Sequence, residues 1–565
     1  MALIGIDLGT TNSLVSYWTD EGVKIIPNVL GSNLTPSVIS VDDGGEILVG
    51  EIAKQRLITH PNETVAVFKR FMGTRKTFQL GKHEFLPEEL SSFVIRSLKK
   101  DAEIFMEEPV EEAVISVPAY FNDTQRKATK RAGELAGLKV ERIINEPTAA
   151  AIAYGLHKEE DETKFLVFDL GGGTFDVSIL ELFENVMEVK SIAGDNYLGG
   201  EDFTGAIFKR FLEQNNLDEK SLDAKLSSSI WKQAEICKRQ LSEDKNGSIS
   251  CSVNDQTFEW TINLSEFEEI TKQLLSRLRL PIERAMRDAD LSADEIDNII
   301  LVGGATRMPL IRSFVSKLFG RLPAVQLNPD EAVAMGAGIQ SGMKSRDAAI
   351  REIVLTDVCP YTLGTDIAVR TDAGYKSGHY CPIIERNTVI PVSRSERLYT
   401  VHDYQKRIKI GIYQGENRHV ANNIKLGELM INVRPAPAGE QAVDIRYTYD
   451  INGILEVEVT NVESGEKQRI VLEENPGNMS KEEIEKRLKA LESIKIHPRD
   501  KAENRLLIAR GERLYEESLK EMRDLIGHAL LRFENALDTQ DNKIIKNAVE
   551  ELKSLYGKIE TGEEF

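Results

Sequence analysis

Only four cysteines occur in 565 residues, Cys237, Cys251, Cys359 and Cys381, and no two of them form a Cys-x-x-Cys pair. Such spacing argues against a zinc site and against a disulfide framework, and it fits a reducing compartment. Long apolar runs are missing as well, since none approaches the roughly 18 residues needed to cross a bilayer. The opening Met-Ala-Leu-Ile-Gly-Ile-Asp has no basic region and meets a carboxylate before the apolar core of a signal peptide can form. The expected location is cytoplasmic. Positive charge is scarce: 71 Lys and Arg stand against 91 Asp and Glu, a formal net charge of -20. A surface of that sign repels phosphate backbones and anionic membranes, so neither nucleic acid nor membrane is an expected partner. A Walker sequence, Gly-x-x-x-x-Gly-Lys-Ser/Thr, is absent too, which excludes a P-loop.

What is present is ordinary globular material, 41% hydrophobic and 29% charged. The length implies two to four domains on the usual domain size. Through residue 350 short apolar strands, as at 3–6, 113–117, 165–168 and 299–302, alternate with helical patterns, an α/β signature. From 358 the texture changes to period-two alternation, with Val443, Ile445, Tyr447 and Tyr449 on one side of Asn452-Gly453 and Ile454, Val457 and Val459 on the other. Asn-Gly between alternating runs signals a hairpin, so this region reads as a separate antiparallel β-domain. Its prolines, Pro360, Pro382, Pro391, Pro435 and Pro437, are expected at strand ends, edges or loops. Beyond Met479 the pattern turns helical, opening with a capping-box spacing at Ser480-Lys481-Glu482-Glu483 and interrupted by Pro498. A longer helix is expected from 499 to about 537 and a last one toward 556. Gly511, Gly527 and irregular apolar spacing favour a small packed bundle over a coiled coil. The domain boundaries expected are 1–350, a linker at 351–357, a β-domain at 358–475 and a helical region at 476–565.

One internal echo carries more than any single element. Ile4-Gly5-Ile6-Asp7-Leu8-Gly9-Thr10-Thr11 recurs as Val167-Phe168-Asp169-Leu170-Gly171-Gly172-Gly173-Thr174, each with an apolar strand entering and another leaving. Such a pair implies two similar lobes facing across a cleft, each offering a glycine-rich turn. Without Cβ atoms in the way, backbone N–H groups at Gly9 and Gly171 to Gly173 can approach a phosphate closely. Thr10, Thr11 and Thr174 add hydroxyl donors, and Asp7 and Asp169 stand where two carboxylates could hold the hydrated magnesium of a nucleotide. Either turn alone would be an ordinary hairpin; two copies reverse that reading.

The residues Ile-Asp-Leu-Gly-Thr-Thr-Asn-Ser (6–13), Val-Pro-Ala-Tyr-Phe (117–121), Asn-Glu-Pro-Thr-Ala-Ala (145–150) and Asp-Leu-Gly-Gly-Gly-Thr-Phe-Asp (169–176) resemble the DnaK-type heat-shock protein 70 chaperones. Leu-Val-Gly-Gly-Ala-Thr-Arg-Met-Pro (301–309) and Asn-Pro-Asp-Glu-Ala-Val-Ala (328–334) extend the likeness. The resemblance implies a multidomain chain: an actin-like α/β ATPase domain of duplicated lobes, an antiparallel β-sandwich that binds peptide, and a short C-terminal α-helical lid. It implies ATP or ADP as ligand with Mg2+, and K+ as a further candidate ion. Lys69, Glu146, Asp169, Thr174 and Asp176 would be catalytic, with Asp7 and Asp169 reaching Mg2+ through water. The nucleotide would be held by Asp7, Gly9, Thr10, Thr11, Asn12, Gly171, Gly172, Gly173, Glu201, Glu235, Lys238, Arg239, Ser242, Gly303, Gly304, Arg307 and Asp330. In isolation Lys69 reads as a surface lysine, and Glu235 to Ser242 as a solvated helix face. A redox role for Cys237 is a minor alternative.

The same resemblance implies a peptide pocket drawn from Leu398, Ile408, Ile410 and Ile454, with Ala368 and Val401 arching over an extended chain. Each would read in isolation as sandwich core. Partners implied are unfolded or extended hydrophobic polypeptides, an exchange factor of unassigned type, and a J-domain co-chaperone docking at Arg142 and Asp357. The chain departs from common members by shorter segments between Lys69 and Val117 and after Ser242, by Thr365 in the pocket and by Thr356 in the linker. Together with the short tail, these departures resemble the specialised bacterial paralogue group HscC. Two other readings use the same duplicated turns, a sugar or acetate kinase and an actin-like filament protein; neither has a use for residues 358–565.

Overall fold

The computed structural model describes residues 2–155, 162–183, 186–253, 256–324, 327–344, 354–371, 374–450, 453–472 and 497–561. They divide into two compact units, one of Met1–Tyr361 with Glu385–Ile390 and one of Thr362–Ile384 with Pro391–Phe565.

The first unit contains two six-stranded mixed sheets. In one, the antiparallel run Ala2–Asp7, Asn12–Thr19, Gly22–Ile26 is extended by parallel Val110–Val117 and Lys139–Asn145. In the other, Glu162–Leu170, Phe175–Phe183 and Val186–Asp195 form the same antiparallel run, flanked by parallel Asn298–Val302. The sequence echo is thus a repeat of topology, each glycine turn joining the first two strands of its run. Strands such as Asn298–Val302 are buried on both faces, which is why they read as continuous apolar segments rather than alternating ones. Asn122 caps the helix Asp123–Leu135 by accepting from Gln125 N at 3.0 Å, and the Gln125 side chain accepts from Asn122 N at 3.0 Å.

The second sheet continues through Val354–Val358, which runs parallel to Val186–Asp195 with Thr356 opposite Glu188. Residues 351–353 of the expected linker lie outside the described residues. On its other side this strand pairs with Val389–Ile390, inside a segment tied down by Arg386, whose Nε and Nη2 both donate to Asp288 at 2.9 Å.

The second unit holds two antiparallel four-stranded sheets. Val443, Ile445, Tyr447, Val457 and Val459 are buried, as their alternation requires, and Tyr449 pairs with Leu455 across the expected hairpin. Pro382 lies on the edge strand Gly374–Ile384. The capping-box segment at Ser480 lies outside the described residues. The single helix expected from 499 to 537 is two helices, Ala502–Glu517 and Lys520–Asp538, broken at Ser518 and Leu519, with Asn542–Thr561 following. The three pack as a bundle around Phe533, Leu537 and Tyr556 rather than as a coiled coil. Their loop is fastened to the sandwich by Gln540, whose Nε2 donates to Ser395 O at 2.9 Å and whose Oε1 accepts from Ser395 N at 3.2 Å. Among the described residues no helix is long and apolar enough to cross a membrane.

Candidate nucleotide-binding and active site

The two glycine turns meet in the first unit. A Cβ at Gly172 would lie 1.8 Å from Thr11 Oγ1, so only glycine permits this approach. The first turn is fixed from below: Gly9 N donates to Ser13 Oγ at 3.2 Å and Ser37 Oγ donates to Gly9 O at 2.8 Å. The second is fixed from behind by the start of the helix Gly200–Gln214, where Gly200 N donates to Gly171 O and Glu201 N to Gly172 O, both at 2.9 Å. Between and beneath the turns opens a cleft of about 420 Å³, a size suited to a small ligand.

Acids and one lysine gather on its floor. Lys69 sits on the short 3-10 turn Phe68–Phe71, which is entered through Val67 at φ 61°, a costly conformation for a β-branched residue. Its Nζ is 2.8 Å from Glu146 Oε1, with the lysine side chain 3% and the glutamate 9% exposed. Lys69 is therefore no surface lysine. Asp7 Oδ1 accepts from Ser116 Oγ at 2.9 Å, and burial with the nearby Glu146 charge pushes its carboxyl up to about 7. Burial and Glu146 likewise raise Asp176 to about 8, although Tyr120 N donates to its Oδ1 at 3.1 Å. Asp169 is raised by burial first and then by Glu146, Asp176 and Asp7. Its Oδ2 and Thr11 Oγ1 are buried without a hydrogen-bond partner. Carboxylates forced together with an orphaned oxygen fit a hydrated divalent cation, and an orphaned hydroxyl beside open backbone N–H groups fits a phosphate.

At the other end stands the helix Ala224–Glu243, capped by Asp223, whose Oδ1 accepts from Leu226 N at 2.7 Å. Glu235 holds Lys238 at 2.6 Å and Arg239 at 2.9 Å; burial acts to raise its carboxyl, but these cations and the Thr204 hydroxyl bring it below the usual range. Lys238 also donates to Gly200 O at 3.0 Å, locking the helix to the second turn. Arg307 donates to Asp330 Oδ2 at 2.6 and 2.8 Å, leaving a half-exposed guanidinium at the cleft wall.

Of the residues expected to hold nucleotide or act on it, all but two line this cleft. Asp176 and Gly173 do not: Asp176 is buried beside Asp169, and Gly173 O accepts from Arg70 Nε at 3.0 Å. Sequence reasoning missed Arg70, which bonds both Gly173 and Asp202, and Ser116 on Asp7; neither lies in a motif that marks it. It also missed the lining residues Leu34, Met308 and Val333. Cys237 is fully buried and burial pushes its thiol up to about 12, which removes the redox alternative. Arg142 is exposed, whereas Asp357 is half-buried, its Oδ2 accepting from Asn145 Nδ2 at 2.8 Å. In the second unit Ile408, Ile410 and Ile454 are buried, and Leu398, Val401 and Ala368 are half-buried. Thr365 is fully buried with its hydroxyl donating to Gly411 O at 2.9 Å.

The Hsp70 protein family model matches residues 3–563. The chain is 40% identical to the chaperone protein DnaK of Thermotoga neapolitana, covering 98% of this chain and 94% of the relative. It is 39% identical to the chaperone protein DnaK of Thermosipho melanesiensis, over 99% and 95% respectively. A fold of duplicated α/β lobes, a β-sandwich and C-terminal helices, matched over residues 3–563, does not favour a kinase or filament reading. The chain belongs to the Hsp70 family of ATP-dependent chaperones, whose members are ATPases.

Proposed function

We propose that the cleft of the first unit binds ATP with Mg2+ and hydrolyses it, and that hydrolysis governs capture and release of extended hydrophobic polypeptide by the sandwich. The observation that carries the reading is the meeting of the two glycine turns above Asp7, Glu146, Asp169, Asp176 and Lys69. The turns' N–H groups and the hydroxyls of Thr10, Thr11 and Thr174 take the phosphates. Arg239 and Arg307, each held by a carboxylate on one edge, offer planar faces to a purine. Asp7 and Asp169 would hold the magnesium through its water shell, where the ion neutralises phosphate charge. Glu146 and Asp176 would orient the attacking water. Lys69 neutralises charge that spreads over the phosphoryl oxygens in the transition state, a preorganised electrostatic contribution.

Peptide binding rests on Leu398, Ile408, Ile410 and Ile454 as pocket and on Ala368 and Val401 as arch, with Thr365, its hydroxyl committed to Gly411 O, leaving the pocket roomier than a larger aliphatic residue would. Arg142 and Asp357 form part of a docking surface for a J-domain partner, the functional division is that expected from the sequence except that residues 358–361 and 385–390 pack with the ATPase unit, the compartment is the cytoplasm, and the departures from common members are those of an HscC-like paralogue. The test is ATP turnover with and without an unfolded hydrophobic peptide. A chaperone is stimulated by it, whereas turnover that needs a small acceptor or rises with protein self-assembly would overturn the reading.

A further inference from the structure

We propose that the hydroxyl of Tyr361 is a positioning group for ATP hydrolysis, fixing Asp176 through the backbone of Tyr120 only while the strand Val354–Val358 is in its sheet. The inference rests on the assignment of Asp176 to the hydrolytic site above.

The chain of contacts is short. Tyr361 follows that strand by three residues, after Cys359 N donates to Thr388 O at 2.9 Å and Asn387 N to Cys359 O at 2.7 Å. Its hydroxyl donates to Tyr120 O at 2.6 Å, across 241 residues of sequence. The two rings lie 4.7 Å apart with 37° between their planes. The N–H of the same Tyr120 donates to Asp176 Oδ1 at 3.1 Å. Tyr120 thus has one backbone group on the carboxylate and the other on a residue whose place depends on the linker strand.

The strand carrying Gly194 packs closely against both Asp176 and Tyr120, since a Cβ there would stand 2.6 Å from Asp176 Oδ1 and 2.9 Å from Tyr120 Cβ. Arg284 Nη1 donates to the Tyr120 hydroxyl at 3.1 Å and Asn196 Nδ2 to Tyr120 O at 2.9 Å, which restrain Tyr120 from its other sides. Arg284 and Asn196 reach Tyr120 from elements of the same lobe, whereas Tyr361 alone among these partners belongs to the chain that follows the linker strand. Removing its hydroxyl keeps the ring contact and frees one face of the Tyr120 carbonyl.

The experiment uses the full-length chain with Tyr361→Phe, Asp176→Asn and Thr356→Pro, the last disrupting the strand because proline removes an N–H from the ladder. Single-turnover ATP hydrolysis, nucleotide affinity and thermal midpoint are measured. Tyr361→Phe should lower the single-turnover rate about fivefold, the factor corresponding to one neutral hydrogen bond, with affinity within twofold and the midpoint nearly unchanged. In the Thr356→Pro background the same substitution should have no further effect. A rate within 1.5-fold of wild type, a loss of affinity at unchanged rate, or an equal loss in both backgrounds would each overturn the proposal. Asp176→Asn separates the two failures: if it hydrolyses ATP normally, the site assignment falls and the inference with it. If it is inactive while Tyr361→Phe is normal, only the inference falls.

Discussion

Replacing Lys69 by alanine tests the electrostatics of the site at its centre. The lysine is nearly fully buried, 2.8 Å from Glu146, and it lowers the proton affinity of Asp7, Asp169 and Asp176. Without it four carboxylates share a buried space. Breaking a buried ion pair by removing one partner costs about 3–5 kcal/mol, a cost the acids can reduce by taking up protons. The thermal midpoint of nucleotide-free Lys69→Ala should therefore fall well below wild type at pH 8 and recover much of the difference at pH 5. The chemical step loses a preorganised cation, worth about 3–4 kcal/mol or a rate factor of 10²–10³, while ATP still binds through the two turns and the helix Ala224–Glu243. Adding Glu146→Ala should restore part of the stability and none of the rate. Single-turnover hydrolysis within threefold of wild type, or a stability deficit independent of pH, would refute the reasoning.

Asp176→Asn should raise the midpoint of the nucleotide-free protein above pH 8 and leave it unchanged near pH 4. The sign follows from a folded-state carboxyl near 8 against 3.8 unfolded: the fold binds that proton more tightly, and stability is lost as pH rises between the two values. The same variant should lose nearly all hydrolysis, read in a single turnover. At the linker, the Thr356 hydroxyl lies 3.5 Å from Met187 O, the outer limit of a hydrogen bond, so Thr356→Leu should strengthen the strand and raise basal turnover. Leu355→Asp should abolish peptide stimulation while basal turnover continues, and an unchanged ATP-to-ADP ratio of peptide dissociation rates would remove the linker from the mechanism. Arg142→Glu should lose stimulation by a J-domain partner at intact basal turnover; retained stimulation would discard that surface.

The duplicated lobes were legible because each glycine turn is local: strand, aspartate, glycines and threonine fall within eight residues, and the echo needs no tertiary knowledge. The hairpin at Asn452-Gly453 was legible for the same reason. Lys69 was legible only through the family resemblance, since nothing near it marks burial and its partner Glu146 is 77 residues away. Ser116 on Asp7 spans 109 residues and Arg70 on Asp202 spans 132, distances at which only the finished fold makes the pair. The break at Ser518 and Leu519 carries neither glycine nor proline, and Leu519 is largely exposed, so no local signal or buried stripe announced it. Pairing of Glu385–Ile390 with the first unit was equally hidden, being set by Arg386 and Asn387 on Asp288.

These separations share a physical cause. On the proposed reading the motif glycines and threonines face the phosphates, whereas Lys69 and Ser116, placed only by the finished fold, act on the acids. Asp7, Asp169 and Asp176 all take up protons more readily than free carboxyls because burial and mutual repulsion penalise their charge, and Lys238 is committed to Glu235, Thr204 and Gly200 and cannot relieve them. The cleft is thus short of positive charge, and its strain is set against the stability of the surrounding sheets. A ligand that brings a dication into this space must displace protons, so its affinity is linked to pH. ATP with magnesium should raise the midpoint more at pH 8 than at pH 6, and release protons on binding that calorimetry in buffers of different ionisation enthalpy can count. Equal stabilisation at both pH values, with no proton release, would mean that the acids are charged before ligand arrives and that the repulsion inferred among them is already relieved within the protein.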